Sequence, residues 1–254
     1  MAHYRIIDSH VHCGIQKVAL PFERIRPLLI DAGFAGVGLI PPVEDIYDRR
    51  DYYFEDTSAW QASRRRANQY LRDLQDPELE LFPYFFVWND FAESELTPEF
   101  YAIKWHRHAD EPEYHYDDPR CAAFLNRVGE LGLPILLEET ASNTIFFIET
   151  LAPAATVIIP HLGALNGGYR RLEQAGIWSH PRIYADTALA SLADLRSYLD
   201  RHGSGRLFFG SDYPFGHPAY ERDKIMSLGL PREETQAIFA DNWLRLLATR
   251  KIPS

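Results

Sequence analysis

Eight short runs of apolar, β-branched or aromatic residues recur along the chain, separated by longer polar stretches with helical spacing. They read Tyr4 to Val11, Gly36 to Ile40, Glu80 to Trp88, Tyr101 to Trp105, Ile135 to Glu138, Val157 to Pro160, Ile183 to Asp186, and Leu207 to Gly210. Near-continuous apolar runs suit parallel strands covered on both faces, and connections of this length suit crossover helices. Phe124, Val128 and Leu131 are spaced by four and three before Gly132-Leu133-Pro134 stops a helix. Pro231-Arg232-Glu233-Glu234 reads as a helix start, with proline in the first turn and acids at the positive end of the dipole. Trp243, Leu246 and Leu247 supply the apolar stripe of a closing helix, and Arg64-Arg65-Arg66 reads as the solvated face of another. The alternation predicts an α/β protein, a (β/α)8 TIM barrel forming one domain over residues 1–254.

Composition agrees with that reading. The 254 residues are close to the roughly 250 of such a barrel. At 46% hydrophobic and 24% charged, the chain can bury a sizeable core and is not a disordered one. A net charge of −10 argues against nucleic acid or an anionic membrane as partner. It leaves an anionic small molecule open, because a metal and a few basic groups can reverse the field locally. Cys13 and Cys121 cannot make a disulfide framework. Met1-Ala2-His3-Tyr4-Arg5 does not resemble a signal peptide, and no apolar run is long enough to span a bilayer, so a soluble cytoplasmic protein is expected. Two stretches, 41–60 and 106–120, exceed a minimal connection and follow strands, which places them at the C-terminal mouth where barrel active sites are built.

The chemistry concentrates at strand ends. In Asp8-Ser9-His10-Val11-His12, alternate residues point the same way, so His10 and His12 project together. Two imidazoles on one face are a ready pair of ligands for a borderline divalent metal, although two strand histidines can also be incidental. His161 ends the sixth run and Asp212 follows the eighth. These groups converge if the sheet closes on itself. An aspartate after a strand is often a helix cap, but Tyr213-Pro214 and Gly216 intervene before any helix here.

The chain resembles the amidohydrolase-related branch of the amidohydrolase superfamily over nearly its full length. The matching pieces are Ile7-Asp8-Ser9-His10-Val11-His12, Ile103-Lys104-Trp105-His106, Gly132-Leu133-Pro134-Ile135-Leu136, Pro160-His161-Leu162-Gly163, Phe209-Gly210-Ser211-Asp212-Tyr213-Pro214 and Ala240-Asp241-Asn242. The resemblance implies a distorted barrel holding one or two divalent metals, zinc first, with manganese, iron or nickel as alternatives. His10 and His12 would be ligands. Asp212 would bind the metal or shuttle protons, and His161 would bind a second metal or act as electrophile and proton donor.

One departure stands out. The family's fifth-strand histidine ligand is replaced by Glu138, which reads as a carboxylate ligand or as a general base or cap in a site of weakened metal affinity. Glu139 should face the other way. Lys104 is open to three readings: carboxylated and bridging metals, paired with a substrate carboxylate, or part of a polar layer. The unmodified forms are favoured. His106 shares its face if the strand continues, and is a candidate to support a metal ligand or to bind substrate. Arg49, Arg50, Tyr52, Tyr53 and Trp88 could line a pocket or simply pack a loop. His108, His115 and His217 read as solvated loop residues and Cys13 as a buried inert thiol. The expected activity is metal-assisted hydrolysis of an amide, ester or lactone of a small molecule. The rivals are a decarboxylase or hydratase of an aromatic or unsaturated acid, and a metal-free lactonase or silent ligand-binding barrel. A homodimer is expected at the level of the family.

Overall fold

The computed structural model describes residues 4–14 and 20–251, so the reading of Met1 to His3 lies outside the described residues. The strands are β1 (Ile7–His12), β2 (Gly36–Ile40), β3 (Glu80–Phe86), β4 (Ala102–His106), β5 (Ile135–Glu138), β6 (Val157–Ile159), β7 (Ile183–Asp186) and β8 (Leu207–Phe208). They pair in parallel in sequence order as a nearly closed (β/α)8 barrel. Closure falls just beyond β8, where Ser9 N–H donates to Phe209 O (2.9 Å), Asp212 N–H to His10 O (2.8 Å) and His12 N–H to Tyr213 O (2.8 Å). The end of β1 and the segment carrying Asp212 are therefore laced together by backbone.

Around the strands lie α1 (Phe22–Asp31), α2 (Ser58–Asp73), α3 (Pro119–Leu131), α4 (Ala141–Phe146), α5 (Tyr169–Gln174), α6 (Leu192–His202), α7 (Pro218–Met226), α8 (Arg232–Gln236) and α9 (Asn242–Leu247). The local signals explain α3 well. The Asp118 side chain accepts from Arg120 N–H, Pro119 occupies the first turn, and Gly132 ends the helix at φ 64°. Its buried stripe is Cys121, Phe124, Val128 and Leu131. The barrel is irregular between β3 and β4, where the connection holds only a short 3-10 turn, Glu93–Glu95, among its regular elements. Among the described residues no helix is long and apolar enough to cross a membrane.

The triple-arginine run corrects the expectation of a wholly solvated face. Arg65 and Arg66 are exposed, but Arg64 is buried, because it lies on the same helical stripe as Asn68 and Leu71. Its guanidinium donates to Ile46 O (2.7 Å), Asp56 (2.6 Å) and Asp90 (2.7 Å), tying the loop after β2 to the end of β3. Both aspartates keep some solvent contact, which moderates the cost of stranding them. Arg64→Met is expected to lower stability by about 2 kcal/mol, read as a shift in the urea midpoint at unchanged slope. A shift too small to measure would mean that the tie is not structural.

Candidate metal centre

His10 is fully buried at the end of β1. Its Nδ1 lies 2.8 Å from Asp186 Oδ2 at the end of β7. That contact assigns the ring proton to Nδ1 and leaves the lone pair on Nε2. Nε2 has no hydrogen-bond partner and sits 3.3 Å from Asp212 Oδ1. His12 Nε2 approaches the same oxygen at 3.1 Å, and His161 Nε2 lies 3.3 Å from Asp212 Oδ2. His10, His12 and Asp212 each bring a ligand atom within 4.8 Å of the others. A buried lone pair aimed at a carboxylate is repulsive unless a cation lies between them. An imidazole oriented by a carboxylate on its other nitrogen is the usual arrangement of a histidine ligand. These residues fit a divalent metal.

The backbone presents Asp212 and His161 in unusual conformations. Both lie in the left-handed region, at φ 55° and 56°, as do Leu162 and Leu189 at the ends of neighbouring strands. Such φ values cost non-glycine residues about 1–3 kcal/mol each and persist here because the surroundings hold them. Asp186 Oδ1 accepts from the His161 N–H (2.8 Å). Asp212 O accepts from Phe215 N–H (2.8 Å) and Gly216 N–H (3.1 Å), closing the turn behind it. A Cβ at Gly216 would stand 2.1 Å from Ser211 O, so this tight turn requires glycine.

The same contacts set the protonation states. Burial pulls His10 below its ordinary value, and the Asp212 and Asp186 carboxylates restore part of the loss. Burial also acts to lower His161, but Asp212 and the other carboxylates outweigh it and hold this imidazole up at about 8. For Asp212 burial acts upward, yet the three imidazoles keep it well below the usual carboxylate range.

A second cluster occupies the β4–β5 side. Lys104 is fully buried, and its Nζ lies 2.8 Å from Glu138 Oε2. Glu138 Oε1 is 2.8 Å from His108 Nε2 and 3.4 Å from His106 Nε2. Glu111 closes the other side: Tyr47 OH donates to its Oε2 (2.6 Å), as does His108 N–H (3.0 Å), and Arg49 Nε donates to its Oε1 (2.8 Å). His106, His108 and Glu111 are themselves within ligand distance of one another. Glu138 lies outside the group formed by His10, His12 and Asp212, its oxygens engaged by Lys104 and His108. Burial acts to raise Glu138, but the charge of Lys104 and the histidines keeps it well below its ordinary value.

Strand β4 does continue to His106, which places it on the face of Lys104 and among these groups. Arg50 instead stands exposed on the loop after β2. Trp88 is buried, its ring 4.0 Å from that of Tyr47 and 4.7 Å from that of Tyr114, which leaves it packing the floor of that loop. Glu139 is buried on the opposite side, accepting from Tyr116 OH (2.7 Å) and Thr140 N–H (2.6 Å). Cys13 is buried, and burial pushes its thiol up to about 12.

Sequence reasoning overlooked Asp186 and Glu111 and read His108 as a solvated loop residue. Asp186 carried a usable signal, an acid closing an apolar run. Glu111 and Tyr47 lie in the two long stretches expected at the mouth, but nothing singled them out there, since those loops come together only in three dimensions.

Residues 7–248 match the model of the amidohydrolase family, and the chain belongs to that family. Whole-length structural likeness extends to a candidate 2-pyrone-4,6-dicarboxylic acid hydrolase from Pseudomonas putida, at 16% identity and TM-score 0.72, covering 98% of this chain and 99% of that one. A 2,6-dihydroxybenzoate decarboxylase from Rhizobium aligns at 15% identity and TM-score 0.73, with 98% and 99% covered. A 5-carboxyvanillate decarboxylase from Novosphingobium aromaticivorans, complexed with manganese and 4-hydroxy-3-methoxy-5-nitrobenzoic acid, aligns at 14% identity and TM-score 0.73, with 96% of each covered. At such identities the likeness is one of fold. No curated protein matches the chain.

Proposed function

We propose that this chain is a divalent-metal-dependent hydrolase acting on the carbonyl of a small-molecule lactone, ester or amide. The observation that carries this reading is the convergence of His10, His12 and His161 on the two oxygens of Asp212, with His10 Nε2 otherwise unpartnered. His10, His12 and Asp212 would hold the ion, and zinc or manganese suits two imidazoles and a carboxylate. When bound, the metal supplies a Lewis acid and brings the pKa of water toward neutrality. Asp212 accepts the proton of the attacking water through Oδ2, the oxygen that faces His161 rather than His10 and His12. His161 Nε2, protonated near neutral pH, donates to the carbonyl oxygen or the leaving group. Lys104 remains an ammonium paired with Glu138, since carboxylation would set a second anion against that carboxylate. Glu138 then serves as a wall residue rather than a ligand.

A second reading, decarboxylation of an aromatic acid, is favoured by the two decarboxylases that share the whole fold and by the His161 imidazolium, a proton donor of the kind that reaction needs. Proton balance separates decarboxylation from ester or lactone hydrolysis: the hydrolysis releases acid, whereas loss of carbon dioxide from a carboxylate consumes a proton. Amide hydrolysis is recognised by the amine it releases. Dialysis against a chelator is expected to abolish turnover, and about one equivalent of zinc or manganese to restore it. Full turnover after exhaustive chelation would end the metal reading.

A further inference from the structure

We infer that the β4–β5 wall of the mouth selects a substrate bearing no negative charge on the side that faces it, with Glu138 as the residue that sets this preference. The inference rests on reading the mouth as the catalytic site. Two cations come to this wall, one from β4 and one from the loop after β2, and the protein's own carboxylates meet each one. Lys104 faces Glu138 at 2.8 Å, and Arg49 faces Glu111.

Other donors on this wall are committed to the same two carboxylates. His108 Nε2 is on Glu138, and Tyr47 OH and the His108 N–H are on Glu111. A substrate carboxylate arriving here would meet cations whose charge the protein's own carboxylates already balance. It would stand against Glu138, a carboxylate that is nearly fully buried and therefore weakly screened by water. Displacing Glu138 would strand a charge in the interior. An uncharged amide or hydroxyl meets neither penalty. The pair is also placed to matter, because β4 and β5, which carry it, adjoin β6, whose end leads into His161. Removing the charge of Glu138 while keeping its shape reverses the situation: Lys104 becomes an unpaired ammonium at the edge of the site, ready for a carboxylate.

A matched pair of ligands tests this without requiring turnover. Isophthalate and 3-carbamoylbenzoate share one carboxylate, which can take the metal, and differ in whether the second substituent is charged. Calorimetric titration of the manganese-loaded protein is expected to show 3-carbamoylbenzoate binding about tenfold more tightly, and Glu138→Gln to erase or reverse that order. Wild-type preference for isophthalate overturns the inference, even if the variant does not fold. So does an unchanged order in a Glu138→Gln protein with wild-type circular dichroism and metal content. Failure to hydrolyse any lactone, ester or amide would instead remove the hydrolase reading and leave the charge preference standing.

Discussion

Asp212→Asn is expected to lower kcat by about a thousandfold while changing KM by no more than a few fold. The substitution keeps size and shape, so the turn closed by Phe215 and Gly216 can survive, but it removes the one anion on which three imidazoles converge. With the amide in place no group at this position can take a proton from water. The histidines also lose the charge that holds His161 up at about 8. Steady-state kinetics at saturating manganese, with metal content measured in parallel, checks the claim. A kcat within tenfold of wild type would show that the proton acceptor lies elsewhere. A loss confined to metal content and restored by excess metal would make Asp212 a ligand alone.

Asp186→Asn should weaken metal affinity by about 10- to 100-fold. Asp186 uses both oxygens: Oδ2 orients His10 through Nδ1, and Oδ1 receives the backbone N–H of His161 and of Ala188. Asparagine offers one acceptor and one donor. It must therefore face either the His10 ring or the β6 turn with an N–H where an acceptor is needed. Asp186 is a positioning residue, so its defect should be repaired by concentration: at saturating metal, kcat should return close to wild type with KM unchanged. Competition titration against a chelator reads the affinity directly. Unchanged affinity, or a kcat deficit that excess metal does not repair, would contradict the positioning role.

These two residues differ in how visible they were. Asp212 could be singled out because it stands just beyond an apolar run and is followed by Tyr213-Pro214 rather than by a helix. Asp186 closes an apolar run in the same way, but its partner His10 is 176 positions away, and no local pattern links them. Trp88 and Arg50 show the converse. Each belongs to a stretch that does border the mouth, but alternation along a strand says which side a residue takes and not how deep it lies. Stacking on Tyr47 buries the tryptophan, while Arg50 stays in solvent. Arg64 was misjudged for a related reason: a charge pattern cannot show that two aspartates and a carbonyl wait on the inner side of a helix.

Repeating apolar runs, helix caps and the period-two alternation of strands are local, governed by backbone geometry and by which side chains can leave water, and they were enough to establish the barrel and to place His10, His12, His161 and Asp212 at its strand ends. Partnership is not local. The pairing of Glu138 with Lys104 and His108, of His10 with Asp186, and of Arg64 with Asp56 and Asp90 depends on which strand ends closure brings together and on how far water is excluded there. Closure likewise brings Asp212 onto His161, which sets that imidazole's protonation, and Glu138 onto Lys104, which balances its charge, so the charge of the site belongs to the folded chain.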